Sequence, residues 1–230
     1  MSLKKYSFLT IFFYGLSLLL PSFLLQLNFL SDTKEIVLFG FVSITPYIAS
    51  VIICSIATTL LIFYFYIRQN DPLPFEKSKK SIFKLLVLGL IGIVLSLFIQ
   101  SYASMVEAWL FQSQQTSENT RSVTKTILEL PIYVLITTLT APIMEEFVFR
   151  RALLGIISRY SNFWIGAIIS SLFFAIAHQD GHLLVYFSLG FFFSLLYYFT
   201  GSIWTSILTH SGMNAMVILI QTAKYYHWIH

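Results

Sequence analysis

Residues 85–106 read LLVLGLIGIVLSLFIQSYASMV and contain no charged side chain. A helix needs about 20 predominantly apolar residues to cross the hydrocarbon core of a bilayer, so this stretch alone predicts a transmembrane helix. Because a helix rises about 1.5 Å per residue, the longest apolar run of the chain could cross twice. That run is 181–223, and the others are 6–31, 36–67, 160–179 and a shorter one at 130–144.

These runs predict an all-α, polytopic transmembrane helical bundle of about seven spans, in a range of roughly six to eight. Pro46 lies inside the second, over-long span, which is therefore expected to be kinked or tilted. The first span follows Lys4 and Lys5 and exceeds the usual signal-peptide core of about 7–15 residues, so we expect it to be retained. The expected spans lie near 6–28, 37–66, 83–106, 127–144, 162–178, 182–199 and 202–222.

The composition excludes a water-soluble globular domain. Hydrophobic residues make up 57% of the chain and charged residues 10%, whereas soluble domains average about 25% charged residues. The net charge of +4 comes from Lys and Arg clustered beside the spans, and no nucleic-acid-binding motif accompanies it. The single cysteine excludes a disulfide framework and a thiolate metal cluster.

The basic residues predict how the chain is oriented in the membrane. The loop at 68–84 is the most basic of the chain, and with Lys4 and Lys5 it predicts a cytoplasmic N-terminus. We divide the chain into N-terminal helices without diagnostic motifs, a core that carries the polar motifs, and a short tail. These parts are 1–124, 125–222 and 223–230.

The first polar cluster is the sequence EEFVFR at 145–150. Ionisable side chains inside membrane spans are costly, so they indicate function or a buried pair that locks helices together. On a helix Glu146 and Arg150 are four residues apart and can pair, whereas Glu145 points about 100° away. We therefore expect Glu146 to be held ionised by the guanidinium and Glu145 to be available as a proton acceptor.

Two further clusters are FAIAH at 174–178 and HSGMN at 210–214. His210 and Asn214 share one helix face because they are four residues apart. Imidazole can orient a water, bind zinc or donate to an oxyanion, and an amide can do the last of these. With the carboxylates, the clusters supply what hydrolysis of an amide by activated water needs. Other polar residues of this half are expected to be uninvolved, namely Asp180 and His182 as loop residues and His227 and His230 at the end.

The three motifs together resemble those of the CPBP intramembrane proteases. Glu-Glu-x-x-x-Arg at 145–150, Phe-x-x-x-His at 174–178 and His-x-x-x-Asn at 210–214 occur in that order inside hydrophobic segments. This family includes the CAAX prenyl endopeptidase of the Rce1 type and bacterial Abi members linked to bacteriocin immunity and peptide-pheromone processing. The resemblance covers roughly residues 125–222.

The resemblance implies a role for each residue of the motifs. Glu145 would activate the attacking water with help from His178, while His210 and Asn214 would stabilise the oxyanion. Glu146 and Arg150 would be supporting residues. The family has been described both as metalloproteases and as glutamate-type proteases, and the sequence leaves both open. Since the chain lacks the His-Glu-x-x-His spacing of a one-helix zinc site, any single zinc ion would be held by Glu145, His178 and His210 from separate helices.

An up-and-down threading of the spans separates two of these residues. It places Glu145 near the inner end of its span and His178 near the outer end of the next. A single site then requires the helix around 143–158 to re-enter the membrane, or the span at 162–178 to be short, tilted or broken. A hydrolase in a membrane also needs a water-filled polar cavity, which we expect to open to the cytoplasm.

We predict an intramembrane endopeptidase in a bacterial cell membrane. Its partners would be the lipid bilayer and a small peptide precursor or protein tail, such as a bacteriocin, a quorum-sensing peptide pheromone or a CAAX-like substrate. Nucleic acid is not expected as a partner. The alternatives are a non-catalytic immunity or scaffold protein of the membrane and a proton-coupled transporter. The transporter is disfavoured because the deep parts of the first three spans lack ionisable groups and no paired broken helices mark two halves.

Overall fold

The structure is a computed structural model that describes residues 1–30, 36–38, 42–77, 80–112 and 118–228. The predicted all-α polytopic bundle is confirmed, with one short β-hairpin added among the described residues. The hairpin pairs β1 (Ile36–Leu38) with β2 (Val42–Ile44) in antiparallel register. In chain order the helices are α1 (Leu3–Gln26), α2 (Pro46–Arg68), α3 (Ile82–Phe111), α4 (Glu118–Glu129), α5 (133–160), α6 (Phe163–His178), α7 (Leu183–Thr200) and α8 (Ile203–Tyr225).

Side-chain caps explain where four of the helices begin. An oxygen of the residue before the helix accepts a hydrogen bond from a backbone N–H of the first turn, which would otherwise be unsatisfied. These capping residues are Ser2 for α1, Thr45 for α2, Ser81 for α3 and Asn162 for α6.

The predicted kink at Pro46 is wrong. Pro46 occupies the first turn of α2, where its missing N–H costs nothing and its fixed φ suits the helix. The residues before it form the β-hairpin rather than the start of the span predicted at 37–66. The second span is therefore a helix of ordinary length that begins at the proline.

The span predicted at 127–144 is also displaced. The amphipathic helix α4 ends at Glu129, and α5 then runs from Tyr133 to Tyr160 without interruption. Two segments of α5, Ile136–Thr140 and Glu146–Leu153, are wound as π-helix. The sequence prediction ended the span at the charged residues after 144, but those side chains are buried inside the bundle and the helix continues through them.

Contacts between the ends of different helices define the two ends of the bundle. At one, which we call the basic end, the amino group of Met1 lies 2.8 Å from the carbonyl oxygen of Arg68, and Lys80 Nζ contacts the carbonyl oxygen of Phe199. At the other, the distal end, Glu107 near the end of α3 bonds the backbone N–H of Leu184 at 2.8 Å. The helices other than α4 therefore alternate in direction.

Seven helices can be counted as crossings among the described residues. Five of them, α1, α2, α3, α7 and α8, are long and apolar enough to span a membrane by length and composition. The helix α6 is apolar but has only 16 residues, and α5 is long but carries the buried charges. This agrees with the prediction of about seven spans.

The hairpin of α5 and α6 removes the need for a re-entrant or broken helix. Glu145 lies fifteen residues before the end of α5, and His178 lies fifteen residues after the start of α6. At about 1.5 Å per residue, both lie about 22 Å from the turn that joins the helices. The helices approach closely near that turn, since a Cβ on Gly166 would lie 2.4 Å from Ser158 Oγ. The re-entrant helix at 143–158 is therefore wrong, because that threading ended the helix too early. The expectation of a short span at 162–178 is confirmed, since α6 has only 16 residues.

An ion pair at the basic end joins three parts of the chain. Asp71 accepts two hydrogen bonds from the guanidinium of Arg159, both at 2.6 Å, and one from the backbone N–H of Leu3 at 3.2 Å. The hydrogen bonds from Arg159, followed by that from Leu3, lower the pKa of Asp71 to about 2 from its ordinary 3.8. The start of α1, the loop after α2 and the end of α5 are thereby connected.

We predict that Asp71→Asn lowers the unfolding temperature of the protein at neutral pH. The folded-state pKa of Asp71 lies below its unfolded value, so its stabilisation is present above that unfolded value and is lost as the pH falls through about 2. Thermal unfolding of both proteins in detergent at a series of pH values measures this. The difference between wild type and variant should shrink between about pH 4 and pH 2; a constant difference would contradict the assignment.

Candidate active site

The carboxylate of Glu146 lies at the centre of the polar cluster and is completely buried. His210 Nδ1 lies 2.9 Å from Glu146 Oε1, and Ser206 Oγ donates to Glu146 Oε2 at 2.5 Å. Arg150 Nε is 3.3 Å from the same Oε2, so the pair expected from the four-residue spacing is present. A carboxylate with this many partners can be buried as an anion, whereas an unpaired one could not.

The guanidinium of Arg150 is enclosed by aromatic rings. Its side chain has no exposed surface, and its central carbon lies 4.5 Å from the ring centre of Phe174, 5.6 Å from that of Phe193 and 5.9 Å from that of Phe149. Aromatic faces attract a cation most strongly where water is excluded. The rings and Glu146 together stabilise this buried charge.

His210 bridges the two adjacent glutamates of α5. Because a carboxylate can only accept, His210 donates its Nδ1–H to Glu146. Its other ring nitrogen, Nε2, lies 3.7 Å from Glu145 Oε2. The imidazole also stacks on Phe193, with 4.7 Å between ring centres. The bond to Glu146 and the stack fix the ring, so that Nε2 is directed at Glu145.

The winding of α5 changes between the two glutamates. Glu145 ends a regular α-helical segment and Glu146 begins the π-helical segment Glu146–Leu153. Short π-helical segments within α-helices frequently occur at functional sites. The sequence predicted separate environments for the two carboxylates, and the structure places both beside one imidazole. Glu146 is sealed from solvent, whereas the Glu145 side chain is 17% exposed.

His178 lies on the other side of Phe174 from the buried cluster. Its Nδ1 is 2.8 Å from the carbonyl oxygen of Phe174 in the preceding turn, and its ring stacks on Tyr186 with 3.8 Å between centres. The Phe174 ring contacts both imidazoles, at 4.6 Å from His178 and 5.8 Å from His210. The described contacts of His178 are thus with Phe174 and Tyr186 rather than with Glu145.

Asn214 connects α8 to the first π-helical segment of α5. Its Nδ2 donates to the carbonyl oxygen of Thr137 at 3.1 Å. One amide hydrogen remains for another acceptor, because the group carries two. Ser206, His210 and Asn214 lie along one face of α8 at four-residue spacing. That four-residue spacing is the sequence signal that points to Ser206 as a member of the cluster.

A second carboxylate–imidazole pair lies at the distal end and was missed from the sequence. Glu107, in the last third of α3, is 1% exposed, and His182 is 7% exposed. His182 Nδ1 lies 2.8 Å from Glu107 Oε2. His182 lies outside the helices, as expected for a loop residue, but it is buried and a partner 75 residues earlier holds its ring.

The three zinc donors suggested from the sequence do not converge. Among the residues that the structure describes, no group of three or more His, Cys, Asp or Glu side chains is arranged to hold a metal ion. Glu145 and His210 are adjacent, but His178 bonds a backbone carbonyl instead. As they stand, the residues do not fit a zinc ion bound by Glu145, His178 and His210, so zinc stays a prediction and no step below uses it.

Two cavities lie at opposite ends of the bundle. One of about 360 Å³ is at the distal end and includes His182 and Tyr186 in its wall. The other, about 440 Å³, is at the basic end beside Glu76 and Arg151. The distal cavity lies one side chain away from His178, since Tyr186 lines it and stacks on that ring. The expectation that the cavity of the site opens to the cytoplasm stays a prediction.

The fold and this cluster define the class: a multi-pass membrane protein with carboxylate and imidazole groups enclosed between its helices. Residues 127–216 match the family described as Type II CAAX prenyl endopeptidase Rce1-like. This segment is less than half of the chain, and it contains all three motifs.

Two relatives are similar over longer stretches. The protein YdiL of Bacillus subtilis (strain 168), described as a candidate membrane peptidase, is 34% identical over 145 residues, which are 63% of this chain and 59% of the relative. The membrane-embedded CAAX protease MroQ of Staphylococcus aureus (strain USA300) is 28% identical over 228 residues, 94% of this chain and 88% of the relative. The chain thus matches less than two thirds of YdiL. No solved structure matches significantly.

We predict that Glu146→Gln destabilises the fold far more than Glu145→Gln. Removing the Glu146 charge leaves Arg150 buried without its counter-ion, which costs about 3–5 kcal/mol. Glu145 is partly exposed and has the longer contact, so its neutral isostere should cost about 1 kcal/mol or less. Thermal unfolding in detergent measures both, with Glu129→Gln, an exposed residue of α4, as the control. Equal losses for the two variants would contradict the central position of Glu146.

Proposed function

We propose that the protein is a membrane-embedded endopeptidase that hydrolyses a peptide bond with water activated by Glu145. The observation that supports this most directly is the position of Glu145, partly exposed and 3.7 Å from an imidazole whose other nitrogen is fixed by Glu146. The family match and the names of the two relatives support the same reaction class.

In this proposal Glu145 is the general base. Its carboxylate takes a proton from a water molecule, and the resulting hydroxide attacks the carbonyl carbon of the scissile bond. His178 helps to orient that water: its Nδ1 bonds the Phe174 carbonyl, which leaves Nε2 as the nitrogen that can accept from water. The proton on Glu145 then passes to the leaving amine as the tetrahedral intermediate collapses.

His210 and Asn214 would stabilise the oxyanion of that intermediate. When His210 is doubly protonated, it donates to Glu146 through Nδ1 and presents Nε2–H to the reacting side. Asn214 adds the amide hydrogen that Thr137 does not use. Fixed donors aimed at a developing oxyanion in a site with little water supply a large part of the rate enhancement of many hydrolases. Glu146, with Arg150 and Ser206, positions His210 and does not touch substrate.

We further propose that the protein resides in a bacterial cell membrane with its N-terminus in the cytoplasm. The basic end carries Lys4, Lys5, Arg68 and Arg159, which the positive-inside rule assigns to the cytoplasmic side. The substrate would be a small peptide precursor or a protein tail at the membrane, with a bacteriocin, a peptide pheromone or a CAAX-like tail as candidates. A site enclosed between helices suits an extended peptide better than a folded domain.

We predict that Glu145→Gln removes specific peptide fragments from cells that produce the protein. Loss of a general base typically costs about 10²–10⁴-fold in rate, which would bring those fragments below detection in peptide mass spectrometry. The matched control is Glu129→Gln, which changes an exposed glutamate of α4 and should leave the fragments unchanged. If wild type and Glu145→Gln give the same fragments while both accumulate in the membrane, the protein is instead a non-catalytic membrane protein.

Removing metal ions from the purified protein distinguishes a metalloprotease mechanism from a glutamate-type mechanism. Because the mechanism above routes no step through a metal, purified protein should keep its peptidase activity after dialysis against a strong chelator. The result that would contradict it is loss of activity that zinc restores. If His178→Ala also reduced zinc binding, this would indicate that the three predicted donors come together in the active enzyme.

A further inference from the structure

The distal cavity is built from four helices and has mixed polar and apolar walls. The helix α3 contributes Gln100, Ser101 and Ser104, and α4 contributes Thr120. With a volume of about 360 Å³, it lies at the lower end of the about 300–1,000 Å³ typical of ligand pockets. The cavity can therefore hold a short segment of extended chain but not a folded domain.

Hydrogen-bonding groups in this wall match a peptide backbone. Amide and hydroxyl side chains both donate and accept, as the N–H and C=O groups of an extended chain require. One of them, Gln100 Oε1, is buried and has no hydrogen-bond partner among the described residues. A buried acceptor without a partner is costly, and a backbone N–H of a bound peptide would satisfy it.

Residues in the wall of the cavity and two of the proposed reacting groups lie on the same face of α8. Val217, Gln221 and Lys224 line it, and they follow His210 and Asn214 at three- and four-residue steps. These five residues form one stripe on the helix, about 21 Å long at 1.5 Å per residue. On the other wall, Tyr186 of α7 lines the cavity and stacks on His178. A peptide lying in the cavity would thus contact α7 and α8, the helix next to His178 and the helix that carries His210 and Asn214.

The buried pair Glu107 and His182 has the same arrangement as Glu146 and His210, because in both pairs the carboxylate bonds the imidazole Nδ1. Glu107 accepts from His182 Nδ1 and from the backbone N–H of Leu184, both at 2.8 Å. Since Nδ1 is occupied, the ring can offer only Nε2 to a ligand in the cavity that it lines. The charge at the open end is that of Lys224, an exposed cation in the last turn of α8.

We propose that the distal cavity is the substrate-binding pocket of the site and that it receives a short extended peptide segment whose carboxylate pairs with Lys224. His182, oriented by Glu107, is a positioning residue that hydrogen-bonds this segment. The carboxylate is either an acidic side chain or the C-terminus of the substrate. The inference rests on the proposed function.

The test uses the full-length protein in cells and follows the fragments that depend on Glu145. Ser101→Trp places a large side chain in the cavity, and because Ser101 is exposed there the fold can accommodate it. Its matched control is Tyr102→Trp, the next residue of α3, which is 67% exposed and lies outside the cavity. We expect the fragments to be lost with Ser101→Trp and retained with Tyr102→Trp, at equal unfolding temperatures.

Charge and hydrogen bonding are tested separately. Lys224→Gln should lower the fragments about fivefold, as expected for one exposed ion pair, and Lys224→Arg should restore them. His182→Ala should lower them, and His182→Asn, which keeps a donor, should restore part of the loss. The sequences of the fragments distinguish the sources of the carboxylate, because it would lie within a few residues of the cut as a side chain or as the terminus.

The outcomes separate this inference from the proposed function. If Glu145→Gln removes the fragments but Ser101→Trp and Lys224→Gln do not, the pocket is elsewhere and the peptidase stands. If only Ser101→Trp removes them, the cavity binds substrate but the carboxylate recognition is wrong. If wild type yields no fragments that depend on Glu145, the proposed function fails and this inference fails with it.

Discussion

The buried carboxylate of Glu146 is the constraint on which the site depends. An isolated carboxylate in a low-dielectric interior is strongly unfavourable, so this one requires its partners: Arg150 on its own helix and Ser206 and His210 on α8. Satisfying it fixes the distance and rotation between α5 and α8. The same bonds set the tautomer of His210 and direct its Nε2 toward Glu145, which couples the packing of the bundle to the chemistry of the site.

Aromatic residues isolate the two halves of the cluster from each other and from lipid. Phe174 and Phe193 cover the Arg150 guanidinium, and the Phe174 ring separates His178 from His210. The supporting charges are therefore buried, while the Glu145 side chain is 17% exposed. At the basic end, Arg151 is buried in the same manner, with Glu76 at 3.1 Å and Gln69 at 2.6 Å. Paired charges of this kind allow α5 to cross the membrane with four ionisable residues near its middle.

The sequence predicted the class of fold and the clusters because both depend on local patterns. Long uncharged runs require spans whatever their packing, and four-residue spacing brings Glu146 to Arg150 and His210 close to Asn214. The errors came from long-range pairing. The charges after 144 seemed to end a span, but Glu146 and Arg151 also have partners on other elements. The burial of the loop residue His182 was not expected because its partner Glu107 is far away in the chain. The roles assigned to Glu145, His178, His210 and Asn214 stay predictions.

The tautomer of His210 is the most direct measure of the central claim that Glu146 positions the reacting imidazole. Nuclear magnetic resonance of protein with nitrogen-labelled histidine can report which ring nitrogen carries a hydrogen-bonded proton. The account predicts a strongly hydrogen-bonded Nδ1–H signal that disappears in both His210→Asn and Glu146→Gln and persists in His227→Asn, which changes an exposed residue near the end of the chain. A His210 signal that is unaffected by Glu146→Gln, or a proton found only on Nε2, would contradict it.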